Sequence, residues 1–231
     1  MKKLYYLAFF VFLISCTASR NSGNNIAHQT FVKIETDSGT MIAKLSNKTP
    51  LTTGNFLKLV KKHFYDGLLF HRVVKGFMIQ GGDPDSKNAK KDQVFGEGGL
   101  GYTIPAEFDT SLFHEKGALA MARESDNANP KKASSSTQFY IVDGRTFNDK
   151  ELDKIQERFK ILIPENHRKI YRTLGGSPFL DMNYTVFGQV VKGLDVIDKI
   201  ASTAKDKHNR PVNDIRMKIT ILKKKELKNY Q

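Results

Sequence analysis

Residues 70–84 read FHRVVKGFMIQGGDP, and three of them are unusual for the interior of a strand. Arg72, Met78 and Gln80 stand among strand-forming apolar residues, where burial penalises polar groups that lack partners. A satisfied core and a substrate-facing surface each account for the pattern, and Arg72 taken alone reads as a surface arginine on an edge strand. What the stretch offers chemically is a permanent cation with no acceptor capacity, set beside a carboxamide and apolar side chains. Other chemistries find little support, since the chain has no HExxH, no CxxC pair, no P-loop and no GxSxG. The histidines are scattered, at His28, His63, His71, His114, His167 and His208. His71 beside Arg72 reads as a general base or, more simply, as a hydrogen-bonded core residue. Ser134, Ser135 and Ser136 lie in a polar loop with no evident base partner. Nucleophilic and metal-dependent catalysis are therefore not expected, and no cofactor is called for.

The elements that must position these residues are mostly strands. FVKIETDSGTMIAKL, from Phe31, alternates on both sides of Asp37-Ser38-Gly39 and predicts a hairpin. TPLTTGNFLKLVKKHFYDG follows, with Thr49 suited to an N-cap, Pro50 to the first helical position, and Phe56, Leu57, Val60 and Phe64 at helical spacing. That face should plug a sheet. After glycine-rich turns, GALAMA and TQFYIV predict short buried strands. From Asn148 to Leu174 charges alternate with apolar residues, which predicts two short helices joined at Pro164. TVFGQVV is read as a strand, GLDVIDKIA as a helix with Leu194, Ile197 and Ala201 on one face, and DIRMKITIL as a last strand with Ile215, Met217, Ile219 and Ile221 alternating. Many short strands with two compact helices predict a closed antiparallel barrel, although pattern alone fits a sandwich almost as well.

The N-terminus is a separate matter. MKKLYYLAFFVFLISC places Lys2 and Lys3 before an apolar run from Leu4 to Ile14, the layout of a secretory signal and too short to span a membrane comfortably. Leu13-Ile14-Ser15-Cys16 resembles a bacterial lipobox, in which Cys16 receives a diacylglyceryl group and becomes the mature N-terminus; the simpler alternative is an incidental cysteine in an ordinary signal peptide. As the only cysteine it can form no internal disulfide, so stability must come from packing. The expected organisation is a signal peptide over residues 1–15, a flexible tether over 16–29, a globular domain over 30–224 with a helical insertion at 149–176, and a basic tail over 225–231. The formal net charge is +13. The lysines are dispersed and lack an aromatic-interleaved stripe, so a solvated basic surface touching anionic lipid is expected rather than nucleic-acid binding.

Five separated blocks then agree in order: FHRVVKGFMIQGGDP, GYTIPAEF, GALAMAR, STQFYI and FLDMNYTVFGQVVKGLDVIDKI. Together they resemble the cyclophilin-type peptidyl-prolyl cis/trans isomerases, from about Phe31 to Leu222. The resemblance implies an all-β-dominated fold, an eight-stranded closed antiparallel β-barrel capped by two α-helices, with a packed interior and a proline-binding groove on its outer face. It implies that Phe70–Val74 and Phe77–Gln80 are adjoining strand segments reversed at Lys75-Gly76, whose polar side chains reach that groove. Arg72 matches the family's catalytic arginine, and Gln80 would orient it. Phe77 and Met78 match walls of the proline pocket, and Gln80 and Gln138 match groups that hold the substrate backbone. Ala122 and Arg123 would flank the neighbouring substrate residue, while Tyr140, Phe179, Leu180 and Tyr184 complete the apolar wall.

The chain departs from the best-known members in places. Many of those have Trp at Phe179, His at Tyr184, Asn at Arg123 and Phe at Tyr140, so the differences resemble bacterial members and imply weak cyclosporin binding more than lost catalysis. The insertion departs further; its helices are expected beside the groove, most simply as a solvated elaboration, with added substrate contacts or partner docking as alternatives. The expected activity is isomerisation of X-Pro bonds in unfolded or refolding cell-envelope proteins. A binding module that retains proline-containing segments without turnover is the alternative. Thr17 after Cys16 lacks the aspartate associated with inner-membrane retention in some bacteria, which favours an outer-membrane lipid anchor facing the periplasm. No oligomerisation signal is present, so a monomer is expected.

Overall fold

The structure is a computed structural model that describes residues 29–223 and 226. The expected signal peptide, Cys16 and nearly all of the tether lie outside the described residues, as does the basic tail apart from Glu226.

The predicted hairpin forms β1 (Phe31–Thr36) and β2 (Gly39–Leu45), with Thr36 opposite Gly39 so that Asp37-Ser38 makes the loop. Thr36 Oγ1 closes that turn, accepting the Ser38 N–H at 3.2 Å and donating to the Gly39 carbonyl at 2.9 Å. The other long strands are β3 (Arg72–Val74), β4 (Met78–Gly81), β6 (Ala118–Met121), β8 (Phe139–Val142), β9 (Val186–Lys192) and β10 (Met217–Ile221). These eight pair in the order β10-β1-β2-β9-β6-β8-β4-β3, and every pairing is antiparallel. A separate pair joins β5 (Thr103–Ile104) to β7 (Ser134–Ser135).

The two edges of the large sheet meet. Gly67 N–H donates to the Met217 carbonyl, Met217 N–H to that of Leu68, and Phe70 N–H to that of Ile215, at 2.8, 2.8 and 2.9 Å. These bonds tie the residues ahead of β3 to the start of β10, with Leu69 opposite Arg216. The sheet is therefore a closed barrel without a long unpaired edge. Alternation along each strand sends Val32, Ile34, Met41, Leu119, Ile141, Phe187 and Ile219 into one buried cluster, so the interior is core.

The two capping helices complete that core. In α1 (Pro50–Lys61) Phe56, Leu59 and Val60 are buried, whereas Leu57 is only partly so. The Phe56 ring lies 5.1 Å from Tyr65, 5.6 Å from Phe139 and 5.1 Å from Phe187, an aromatic knot of tilted and edge-on contacts. Thr49 stands at the N-cap but its side chain makes no capping bond. Glu107, far along the chain, does that work: its carboxylate accepts the N–H groups of Leu51 at 3.0 Å and Thr52 at 2.8 Å. An anion there also suits the helix dipole. The second cap, Leu194–Ala201, buries Val196, Ile197, Ile200 and Ala201.

The insertion holds two helices on either side of Pro164, α2 (Asp149–Phe159) and α3 (Glu165–Thr173). Asn148 and Glu151 form a reciprocal capping box at the start of α2. Arg168 and Arg172 of α3 both pair with Asp149, and Arg168 also with Asp153. Phe147, Leu152, Ile163 and Tyr171 form a small core of its own. Most of the two helices is solvated, as a surface elaboration would be, but Tyr171 is fully buried and enters the polar network behind the groove described below. Its approach is permitted by Gly176, where a Cβ would stand 2.2 Å from the His114 carbonyl and 2.6 Å from the Tyr171 ring.

Candidate active site

The alternation that fills the barrel also empties Arg72 onto its outside. Val73 and Ile79 are fully buried in the barrel core, so their neighbours Arg72, Val74, Met78 and Gln80 point the other way. The reversal between β3 and β4 runs through Lys75-Gly76, where Gly76 takes φ +75° and donates its N–H to Asp143 Oδ2 at 2.6 Å. Asp143 and Gly144 in turn donate their N–H groups to the Phe77 carbonyl, each at 3.0 Å, which fixes where Phe77 stands.

Register places Arg72 directly opposite Gln80, and cross-strand neighbours touch. Arg72 Nη1 donates to Gln80 Oε1 at 3.1 Å and lies 3.7 Å from the Met78 sulfur; its Cζ is 5.9 Å from the Phe77 ring centroid. Burial lowers the guanidinium's pKa from its ordinary value, yet arginine remains cationic throughout the working range. Among the described residues no carboxylate comes within ion-pair distance of it, so its charge faces the groove uncompensated.

The hydrogen bonding continues inward. Gln80 Nε2 donates to Gln138 Oε1 at 3.1 Å, and Gln138 Nε2 donates to the carbonyls of Gly96 and Gly98, both at 2.8 Å. Buried Asp83 accepts the Gly96 and Gly98 N–H groups at 2.7 and 3.2 Å. Gln138, expected to hold the substrate backbone, has both ends of its carboxamide engaged by protein and is 4% exposed. It braces Gln80, and through Gln80 the arginine.

Outside the barrel, Met78, Ala118, Ala120, Tyr140, Val142, Leu180 and Val186 form a second apolar cluster, the floor of a groove. A cavity of about 140 Å³ sits on it. Its lining combines Arg72 and Gln80 with Phe77, Met78, Tyr140, Leu180 and Tyr184, together with Ala122 and Arg123. Gln138 lines a neighbouring cavity of about 580 Å³, which shares Gln80, Ala122 and Arg123 with the first and extends along the 96–101 glycine loop. In the smaller space the Arg72 cation and apolar side chains converge. Phe179, expected as a wall, stands at the rim, with its ring 5.6 Å from that of Phe77. Arg123 serves the wall more than the opening: its guanidinium lies 4.4 Å over the Tyr184 ring, its Nε donates to the Asn183 carbonyl at 2.8 Å, and its Nη1 pairs with Asp126 at 2.6 Å.

A buried chain behind the groove escaped sequence reasoning. Tyr171 of α3 donates to Asp181 Oδ2 at 2.6 Å, Asp181 Oδ1 lies 2.9 Å from His114 Nδ1, and His114 Nε2 lies 2.9 Å from the Tyr140 hydroxyl. Burial pushes the Tyr171 and Tyr140 hydroxyls far above the usual phenol range, and Asp181 adds to both shifts. Both stay neutral donors, and the polar end of Tyr140 is turned away so that its ring forms cavity wall. Asp181 follows Leu180 directly, which was the one available hint; nothing local linked Tyr171 to it. Ser134 and Ser136 are buried, and Ser136 Oγ accepts the Leu100 N–H at 2.9 Å, a structural use.

His71 differs from expectation too. It is 3% exposed, but neither ring nitrogen has a hydrogen-bond partner among the described residues. Burial lowers its pKa to about 4, helped by Arg72 and Arg210 and opposed by Asp83. The ring is neutral in the fold while the unfolded chain takes up a proton near pH 6.5. Stability should therefore be complete above that value and fall as pH drops from 6.5 to 4, by about 3 kcal/mol in all. Urea unfolding at pH 7.5 and 4.5 checks it: the acid-induced loss should shrink by about 2–3 kcal/mol in His71→Leu relative to wild type, and identical losses would contradict the assignment.

The site is thus an arginine with no carboxylate within ion-pair distance among the described residues, set beside an apolar cavity on the outside of a closed barrel. The comparisons with known proteins agree. The family model described as cyclophilin type peptidyl-prolyl cis-trans isomerase/CLD matches residues 31–221. A protein of Staphylococcus saprophyticus named as a peptidyl-prolyl cis-trans isomerase is 34% identical over 183 residues, covering 79% of this chain and 86% of its own. One of Staphylococcus aureus, named likewise, is 33% identical over 185 residues, covering 80% and 87%. The crystal structure of a cyclophilin type isomerase from Cryptosporidium parvum superposes with a TM-score of 0.63 at 24% identity, covering 85% of this chain and 99% of that one. The same protein solved in the presence of the dipeptide Ala-Pro gives a TM-score of 0.61 at 25% identity, covering 84% and 99%. The chain belongs to the cyclophilin-type peptidyl-prolyl cis-trans isomerases. Its activity is accordingly the cis/trans isomerisation of peptidyl-prolyl bonds.

Proposed function

We propose that Arg72 is the catalytic group of this isomerase, that Gln80 orients it, and that Phe77, Met78, Tyr140, Leu180 and Tyr184 hold the pyrrolidine ring. The observation that carries this reading is the Arg72 guanidinium, held by Gln80 at 3.1 Å with no acid beside it, on the edge of the apolar cavity. Rotation about a peptide bond meets a barrier of about 18–20 kcal/mol because the nitrogen lone pair is delocalised into the carbonyl. A fixed cation directed at the prolyl nitrogen favours the twisted state, where the lone pair is localised and the nitrogen more basic. The planar ground state gains less, which is what acceleration requires. A millionfold acceleration needs about 8 kcal/mol, and one preorganised donor supplies roughly 3–4 kcal/mol. Apolar confinement and backbone contacts contribute the remainder, with no proton transfer or covalent intermediate.

Gln80→Leu tests the positioning. It removes the acceptor for Arg72 and the link to Gln138 while keeping the side chain's bulk. A hydrogen bond to a charged group contributes about 1.5–3 kcal/mol, so kcat/KM on a proline peptide should fall about tenfold to a hundredfold with little change in unfolding temperature. An unchanged rate would remove Gln80 from this scheme.

The substrates are proposed to be proline-containing segments of unfolded or refolding envelope proteins, whose uncatalysed isomerisation takes tens to hundreds of seconds. Support comes from the N-terminal sequence: a signal-like apolar run ending at Cys16, followed by the small polar stretch TASRNSGNNIAHQ. A lipid on Cys16 would hold the barrel at the membrane on a tether while leaving the groove free, and the basic surface would suit anionic lipid.

A further inference from the structure

The inserted helices reach the groove through one aromatic ring. Leu152, Ile155 and Phe159 follow one another along a single face of α2. Leu152 is fully buried in the insertion's core, Ile155 is partly buried against it, and Phe159, at the end of the helix, is 39% exposed. The helix stops there because Lys160 adopts φ +52°, which returns Ile161 and Ile163 to the insertion's core and leaves Phe159 out of it. The ring instead lies 6.0 Å from that of Phe179, tilted by 36°. Phe179 in turn lies 5.6 Å from Phe77 at the same tilt, and Phe77 is a wall of the proline cavity. A row of three half-open rings therefore begins in the cavity and ends on the insertion.

We propose that Phe159 is the specificity residue of an additional substrate subsite, which takes an aromatic side chain about three residues from the proline. This rests on the isomerase reading above and adds to it a preference that the barrel alone would not have. A single exposed phenylalanine is commonplace; one continuous with a ligand cavity lies on the path of the ligand. A chain whose proline rests against Phe77 has to leave over neighbouring surface, and extended chain advances about 3.3–3.6 Å per residue. Two ring-to-ring steps, of 5.6 and 6.0 Å, thus bring the third residue or so over Phe159. The Arg158 guanidinium, 5.4 Å from the ring centroid, borders the subsite and disfavours a basic side chain there.

The test uses a property of the chain itself. It contains no tryptophan, so a peptide carrying one reports its own binding by fluorescence. The full chain is titrated with two heptapeptides, each with one proline and one tryptophan, placed three residues before the proline in one and three residues after it in the other. Alanine counterparts are measured by displacement, and isomerisation of all four is followed by exchange NMR. One tryptophan peptide should bind about fivefold to tenfold more tightly than its alanine counterpart, the gain from partly burying an aromatic ring. Phe159→Ala should abolish that advantage while leaving the affinity and isomerisation of the alanine peptides unchanged, and Phe159→Leu should retain part of it. No advantage at either position in wild type, or equal weakening of tryptophan and alanine peptides by Phe159→Ala, would overturn the proposal. Preferential binding without isomerisation would refute the catalytic reading and support the subsite; isomerisation without preference would do the reverse.

Discussion

Arg72→Ala should lower kcat/KM for X-Pro isomerisation about a hundredfold to a thousandfold, the loss typical of one preorganised donor that acts in the transition state. Peptide affinity should change only severalfold, because the cavity walls are untouched and Arg72 contributes mainly when the nitrogen becomes basic. Arg72→Lys is the informative companion. It keeps the charge but loses the planar fork that lets one guanidinium bond Gln80 and still face the groove. Recovery should therefore be partial, within about tenfold of the alanine variant. Initial rates on a proline peptide with the full chain provide the check. A rate for Arg72→Ala close to wild type would transfer the chemistry elsewhere in the cavity.

Cys16→Ser should move the protein from the membrane fraction to the soluble fraction almost completely. Buried acyl chain contributes about 0.8 kcal/mol per CH₂, so a lipidated N-terminal cysteine with several chains is in effect permanently anchored. Serine cannot form the thioether, and no helix among the described residues is long and apolar enough to cross a membrane in its place. Fractionation of cells expressing each form, followed by immunoblotting, reads the result. Equal membrane partitioning of the two forms would refute lipid attachment and leave the anchor to some other feature.

What was legible in the sequence follows the range of the interactions involved. Strand alternation puts Val73 and Ile79 inside and Arg72 and Gln80 outside, but the residues alone left a satisfied core and a substrate-facing surface both open, and it was the resemblance that implied that the polar side chains reach the groove. The Lys75-Gly76 reversal was also implied by the resemblance, and Gly76 there takes a positive φ. Partners distant in sequence were not legible. Thr49 looked like the cap of α1 because its type and position suit capping, yet Glu107 takes the role from fifty-odd residues away. For Gln138 and Arg123 the resemblance implied contacts with substrate, but the backbone carbonyls that they bond, at Gly96, Gly98 and Asn183, are brought to them only by the fold. The chain from Tyr171 through Asp181 and His114 to Tyr140 spans the insertion, two loops and one strand. Its members carry no shared motif, which is why the insertion read as surface decoration.

The central claim separates turnover from binding, and equilibrium exchange NMR on a proline peptide measures both in one sample. With catalytic amounts of the full-length wild type, cis and trans resonances should exchange within the mixing time, whereas the free peptide takes tens of seconds or longer. With Arg72→Ala the same peptide should still show binding shifts, but its cis and trans signals should remain unexchanged. Exchange at the wild-type rate in the Arg72→Ala protein, or binding without exchange in the wild type, would contradict the account.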